Sequence, residues 1–192
     1  MRKQVLSILL ASLFLCATVV AQSNAKPQSS RQTMGASVPD TERITRETRH
    51  ELLMLPQYSL FDWLAYQVQG NKVVLMGEVT KPIIKSDAES AVKHIEGVDS
   101  VENRIEVLPP SPDDDRIRLA EYRAIYGSDS LNKYALGAQP PIHIIVKGGH
   151  VTLKGVVDSA TDKNLAGIQA NSVPGVFSVN NELMAGGSSA LK

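Results

Sequence analysis

The chain has 192 residues, with 20 basic and 20 acidic side chains and a formal net charge of zero. That balance excludes a strongly basic nucleic-acid binder. The length suits one ordinary domain or two very small ones.

Arg2 and Lys3 form a short positive start, followed by an uncharged apolar run from Val5 to Val20. Val19-Val20-Ala21 supplies small residues at the usual processing positions, so residues 1–21 read as an export signal cleaved before Gln22. About sixteen apolar residues fall short of the roughly 20 that a spanning helix needs. Cys16 follows Leu13-Phe14-Leu15 and lacks the small neighbour of a lipidated cysteine, so a lipoprotein is the less favoured reading. After cleavage no cysteine remains, which excludes disulfides, thiolate nucleophiles and cysteine-ligated metals, and the charge becomes −2. Residues 22–39 are rich in Ser, Gln, Asn and Lys without apolar periodicity, and are expected to be disordered.

The rest of the chain repeats itself. Gly70-Asn71-Lys72-Val73-Val74-Leu75-Met76-Gly77-Glu78-Val79 aligns without a gap on Gly148-Gly149-His150-Val151-Thr152-Leu153-Lys154-Gly155-Val156-Val157, an offset of 78. The register persists through Gly97-Val98, Val101, Asn103 and Ile105 against Gly175-Val176, Val179, Asn181 and Leu183. The opening segments match at an offset of 73, Arg43-Ile44 against Arg116-Ile117, so five extra residues precede the first strand of copy two.

Each copy predicts helix, strand, strand, helix, strand. Asp40 or Thr41 is expected to cap the first helix of copy one, and Asp113-Asp114-Asp115 that of copy two. Residues 61–69 and 72–79 alternate around Gly70-Asn71, and 142–147 and 150–157 around Gly148-Gly149, as two-residue hairpins. Helices follow near 82–95 and 159–172, stopped by Gly97 and Gly175, and short strands close each copy at 101–107 and 176–183. The expected fold is α+β: two tandem modules over 40–108 and 113–184, each a three-stranded mixed sheet with two helices on one face. A proline-rich linker, 109–112, joins them, and 185–192 form a flexible tail.

This module, with Gly77 or Gly155 near the end of the second strand and its Gly-Val…Val-x-Asn-x-Ile/Leu close, resembles the BON domain family. Two such copies behind a signal peptide resemble the OsmY-type periplasmic arrangement. The resemblance implies contact with phospholipid membranes or with client proteins of the envelope, and no catalysis. The partners it implies are an anionic phospholipid membrane surface or envelope proteins, with the periplasm as location.

Searching for chemistry yields none. His143 and His150 share a sheet face about four residues apart, roughly 13 Å at ~3.3 Å per residue, too far to share a zinc ion. They read as solvated strand histidines. The triple aspartate lacks the spacing of a calcium loop, and no phosphate loop, nucleophile elbow or dinucleotide pattern occurs. No catalytic residue, metal or cofactor is expected.

The copies differ in two places. On the first helix of copy two, Ile117, Ala120 and Ala124 share one face at 100° per residue, while Leu119, Tyr122 and Tyr126 line the opposite one beside Arg116 and Arg123. That stripe suits an anionic bilayer surface, or packing against the other copy or a loop. The matching positions of copy one, Arg46 and Arg49, are expected to lack aromatic neighbours. On the sheet face away from the helices, copy one should show Trp63, Ala65, Val74 and Met76, a patch for a partner or for the other copy. Copy two should show His143, Lys147, His150, Thr152 and Lys154 there.

Overall fold

The computed structural model describes residues 37–137 and 139–186, and the expected signal peptide lies outside them. So does nearly all of the segment expected to be disordered, and most of the tail.

Both copies form the α+β module. In copy one, α1 (Ser37–Leu53) leads to the hairpin β1 (Trp63–Gln69) and β2 (Lys72–Val79), then α2 (Pro82–Lys93) and a third strand in two pieces, β3 (Ser100–Asn103) and β4 (Glu106–Val107). Copy two repeats this with α3 (Pro112–Tyr126), β5 (Ile142–Lys147), β6 (His150–Val157), α4 (Ala160–Asn171), β7 (Ser178–Asn181) and β8 (Met184–Ala185). The second strand of each hairpin is central. It runs antiparallel to the first and parallel to the third, which must return across a helix.

The repeated Val-x-Asn-x-Ile/Leu close has a physical reason. The third strand breaks after the asparagine, and Asn103 spans the break: its Oδ1 accepts from Ile105 N at 3.1 Å and its Nδ2 donates to Lys85 O of α2 at 2.9 Å. Asn181 repeats both bonds, to Leu183 N at 3.2 Å and Lys163 O at 2.7 Å. The break turns Ile105 and Leu183 into the cores, where each is 1% exposed.

The expected caps are not those found. Helix α1 begins at Ser37, which puts Asp40 and Thr41 inside its first turns. In α3 the cap is Ser111, whose hydroxyl accepts from Asp114 N at 3.2 Å, with Pro112 in the first turn, where its missing N–H costs nothing. This frees Asp114 for another task. Its side chain is buried and accepts from both hairpin amides, Gly148 N and Gly149 N, at 2.8 Å each.

Gly77 and Gly155 are required by close approach. Each has φ near +125°, and a Cβ there would stand 1.9 Å from a backbone carbonyl oxygen of the adjacent hairpin arm, Trp63 O or Pro141 O. At the turn, Gly148 (φ +59°) faces open space, whereas a Cβ on Gly149 (φ +77°) would meet the Phe177 ring at 2.6 Å. Replacing Gly148 and Gly149 together with valine is expected to cost roughly 1–3 kcal/mol from left-handed strain. Urea denaturation checks this, and an unchanged midpoint would refute it.

Each module has its own core. Ile44, Val73, Leu75, Ile84, Ala88 and Val92 centre the first, and Ile117, Ile125, Ile144, Leu153, Ala166 and Ala170 the second. The two modules nevertheless form one unit. Leu60 and Phe61 of copy one pack against the copy-two core, and Ile144 N of the β5 edge donates to Leu60 O at 2.8 Å. Leu108, at the head of the expected linker, is buried and its amide bonds Val79 O.

Candidate functional site

Helix α3 is held to its own sheet by polar groups along its length. Asp114 grips the hairpin turn, Arg118 Nη2 donates to Val146 O at 2.6 Å, and Tyr126 Oη donates to Ile142 O at 2.6 Å. The buried face is therefore Asp114, Ile117, Arg118, Glu121, Ile125 and Tyr126, while Ala120 and Ala124 are only partly covered.

Tyr126 corrects the sequence expectation. It is 5% exposed and belongs to the core, so it offers no surface to a lipid. The hydroxyl reaches the sheet, donating to Ile142 O and accepting from Ile142 N, and the five-residue insertion of copy two adds a 3₁₀ turn at Asn132–Ala135 whose Leu131 and Tyr134 join the same core. Only tertiary context carries that information.

The remaining residues of the stripe stay outside. Leu119 and Tyr122 are 50% and 40% exposed. Arg116 and Arg123 are exposed too, and Arg116 has only a long contact with Asp113 at 3.4 Å. Arg123 has no ion pair among the described residues. Tyr122 is oriented by the buried Tyr126, with ring centroids 5.2 Å apart. Sequence reasoning missed Phe177, which is 78% exposed. Its ring lies against Gly149, and Gly175 carries that surface to the Arg116 guanidinium. The matching position in copy one is Asp99, a difference that could have flagged it. Helix α3 and the 175–177 corner together offer apolar groups and guanidinium groups on the outside of copy two.

The patch of Trp63, Val74 and Met76 lies between the modules. Val74 is 3% exposed, and Ile145, on the outer face of the copy-two sheet, is 4% exposed, yet neither belongs to either module's core. Ion pairs rim this contact: Lys154–Glu78 at 3.4 Å and Lys147–Glu106 at 2.5 Å. His143 is not the solvated histidine that strand alternation suggests. Its ring lies 5.2 Å from Trp63 and 5.6 Å from Tyr58, and its Nδ1 donates to Asp62 O at 2.6 Å. Burial lowers its pKa below the ordinary value, so the ring is neutral at pH 7. His150 stays exposed, with Nδ1 2.7 Å from Ser178 Oγ.

Among the described residues, no group of three or more His, Cys, Asp or Glu side chains could hold a metal ion, and no helix is long and apolar enough to cross a membrane. The sequence profile of the BON domain family matches residues 63–109 and 128–186. No curated protein matches the chain. Among solved structures it is similar to CdsD, a structural protein of the type III secretion system of Chlamydia trachomatis. The identity is 12% and the TM-score 0.29, over 74% of this chain and 93% of that one. The C-terminal domain of CdsD is also similar, with 14% identity and a TM-score of 0.26, over 74% of this chain and 96% of that one.

Proposed function

The chain belongs to the BON domain family, a family of non-enzymatic binding modules, and on that premise we propose that it is an exported periplasmic protein whose second module docks on anionic phospholipid surfaces and supports the envelope under stress. The observation that supports this most is the exposed face of α3, where Leu119 and Tyr122 stand beside Arg116 and Arg123. Aromatic and aliphatic groups settle at the headgroup level, and guanidinium groups meet phosphates there. Phe177 extends the apolar part. The alternative, a client-holding chaperone, would use the sheet face of copy one, where Val74 is buried and Trp63 lies against His143 of copy two.

Reversing Arg116 and Arg123 together to glutamate is expected to weaken co-sedimentation with anionic vesicles at least roughly tenfold, since each near-surface cation contributes about 1 kcal/mol. Tyr122→Ser with Phe177→Ser should weaken binding less, and at high salt as well as low. Wild-type binding should fall as salt rises, because the Debye length is only about 10 Å at 0.1 M. Arg46→Glu on copy one is the matched control. Folded Arg116→Glu/Arg123→Glu protein that binds like wild type would place the lipid surface elsewhere.

A further inference from the structure

We infer that the cleft between the two modules is a binding site for a small organic anion, in which an aromatic ring carries a carboxylate. Two adjoining cavities, of about 210 and about 140 Å³, meet at Tyr58 and His143. The smaller is walled by Trp63, Tyr66, Leu52 and Leu64, with Arg49 on its lining. The larger opens between Leu60 of copy one and Gln139 of copy two. Neither module has this site alone, because His143 and Gln139 come from copy two and the remaining named groups from copy one.

The walls select for an aromatic group. Tyr58, Trp63, Tyr66 and His143 present ring faces and edges, and such rings favour offset or edge-on packing with another ring. Two of these side chains are immobilised. The His143 ring is fixed by Asp62 O, and Asp62 is itself fully buried, accepting from Thr80 N, Thr80 Oγ1, Ser59 N and Ser59 Oγ at 2.6–3.0 Å. Tyr66 is held by its bond to Thr45 O at 2.9 Å. The site is therefore preformed, which lowers the entropy cost of binding.

Charge and size decide the rest. Arg49 is exposed and makes no ion pair among the described residues, so its guanidinium is available to a carboxylate at the edge of the aromatic walls. Burial raises the Tyr66 pKa above its ordinary value, and the nearby Arg49 charge opposes that rise. This corrects the expectation that Arg49 has no aromatic neighbours. The cavities are smaller than the roughly 300–1,000 Å³ of typical drug-sized sites, which fits one ring and a short acid and excludes a whole lipid. This site lies apart from α3, so it is tested independently of membrane docking.

Trp63 is the chain's single tryptophan and lines the cleft, so its fluorescence reports occupancy directly. The full chain is titrated with 3-phenylpropionate, with 3-phenylpropionamide and benzylamine as neutral and cationic probes. A saturable change in Trp63 emission is expected with the acid, and binding at least about tenfold weaker with the amide, the factor that one charge-assisted contact supplies. Arg49→Gln should reduce acid affinity by a similar factor and leave the amide unchanged, whereas Arg123→Gln should change neither. Because the acid–amide comparison uses the wild-type protein, it stands even if a variant folds poorly. The proposal is overturned if the acid gives no saturable change, or if acid and amide bind alike.

Discussion

Glu121→Leu should stabilise the protein, and the gain should grow with pH. Glu121 is 0% exposed on the inner face of α3, one turn from Ile117 and one from Ile125. Neither carboxylate oxygen has a hydrogen-bond partner among the described residues. Burial without a compensating cation pushes its pKa up to about 8, from an ordinary 4.5. In the unfolded chain the group ionises at the ordinary value, while in the fold it holds its proton until about pH 8. Below pH 4.5 both states are protonated and the group costs nothing electrostatically. As pH rises through that window the unfolded state is favoured increasingly, and stability falls. At about 1.4 kcal/mol per pH unit the shift sets a ceiling near 5 kcal/mol, and relaxation around the charge reduces it to roughly 2–4 kcal/mol.

Glu121→Leu should accordingly raise the free energy of unfolding by roughly 2–4 kcal/mol at pH 8.5, and by much less at pH 5. Glu121→Gln keeps the shape, removes the ionisation and should flatten the pH profile without the full gain. His143 acts in the opposite direction. Its folded pKa is lowered, so the stability it contributes is present above its ordinary value of 6.5 and is lost as pH falls through the folded value. Urea unfolding of wild type and both variants from pH 5 to 9 separates the two groups. If Glu121→Leu is less stable than wild type at pH 8.5, or the profiles run parallel, the side chain is not a buried, unpaired carboxyl.

Asp114→Ala should be among the most damaging single changes on copy two. The Asp114 side chain is 2% exposed, and its two oxygens receive Gly148 N and Gly149 N at 2.8 Å each. Bonds to a charged acceptor contribute about 1.5–3 kcal/mol each, and removing the acceptor leaves two turn amides without a partner. The expected loss is on the order of 3–5 kcal/mol. Asp114→Asn retains one acceptor and should lose about half as much. Hydrogen exchange gives the sharper measurement. The Gly148 and Gly149 amides should exchange at least about a hundredfold faster in Asp114→Ala, while amides of α2 and β2 hold their rates. Unchanged exchange at the turn would show that α3 does not hold the hairpin.

Much of the fold was legible because its determinants are local. Alternation around Gly70-Asn71 and Gly148-Gly149 marks two hairpins wherever the rest of the chain lies. The offset rising from 73 to 78 located an insertion before β5 from residue counting alone. What the insertion does was not legible. Leu131 and Tyr134 are only two more apolar residues in a loop until the fold places them in one core with Tyr126.

The sequence by itself determined the repeat, the order of elements, the hairpin register and the two turns, whereas the close approach that requires Gly77 and Gly155 shows only in the fold. Periodicity and conformational permission act over two to five residues, and each copy repeats them. Tertiary structure alone decided which faces remain open. Trp63, Val74 and Met76 sit on an outer sheet face by alternation, yet Val74 is buried and Trp63 is half-covered, its ring against His143 of copy two. Ala65 and His143 hold equivalent positions in the two copies, yet only His143 carries a ring, which packs half-buried against Trp63 of the other copy. Asp114 and Thr41 are equivalent too, and only Asp114 lies opposite two turn glycines. Burial and hydrogen-bond partnership are relations between residues some 30 to 80 positions apart, and no local pattern encodes which of them will meet.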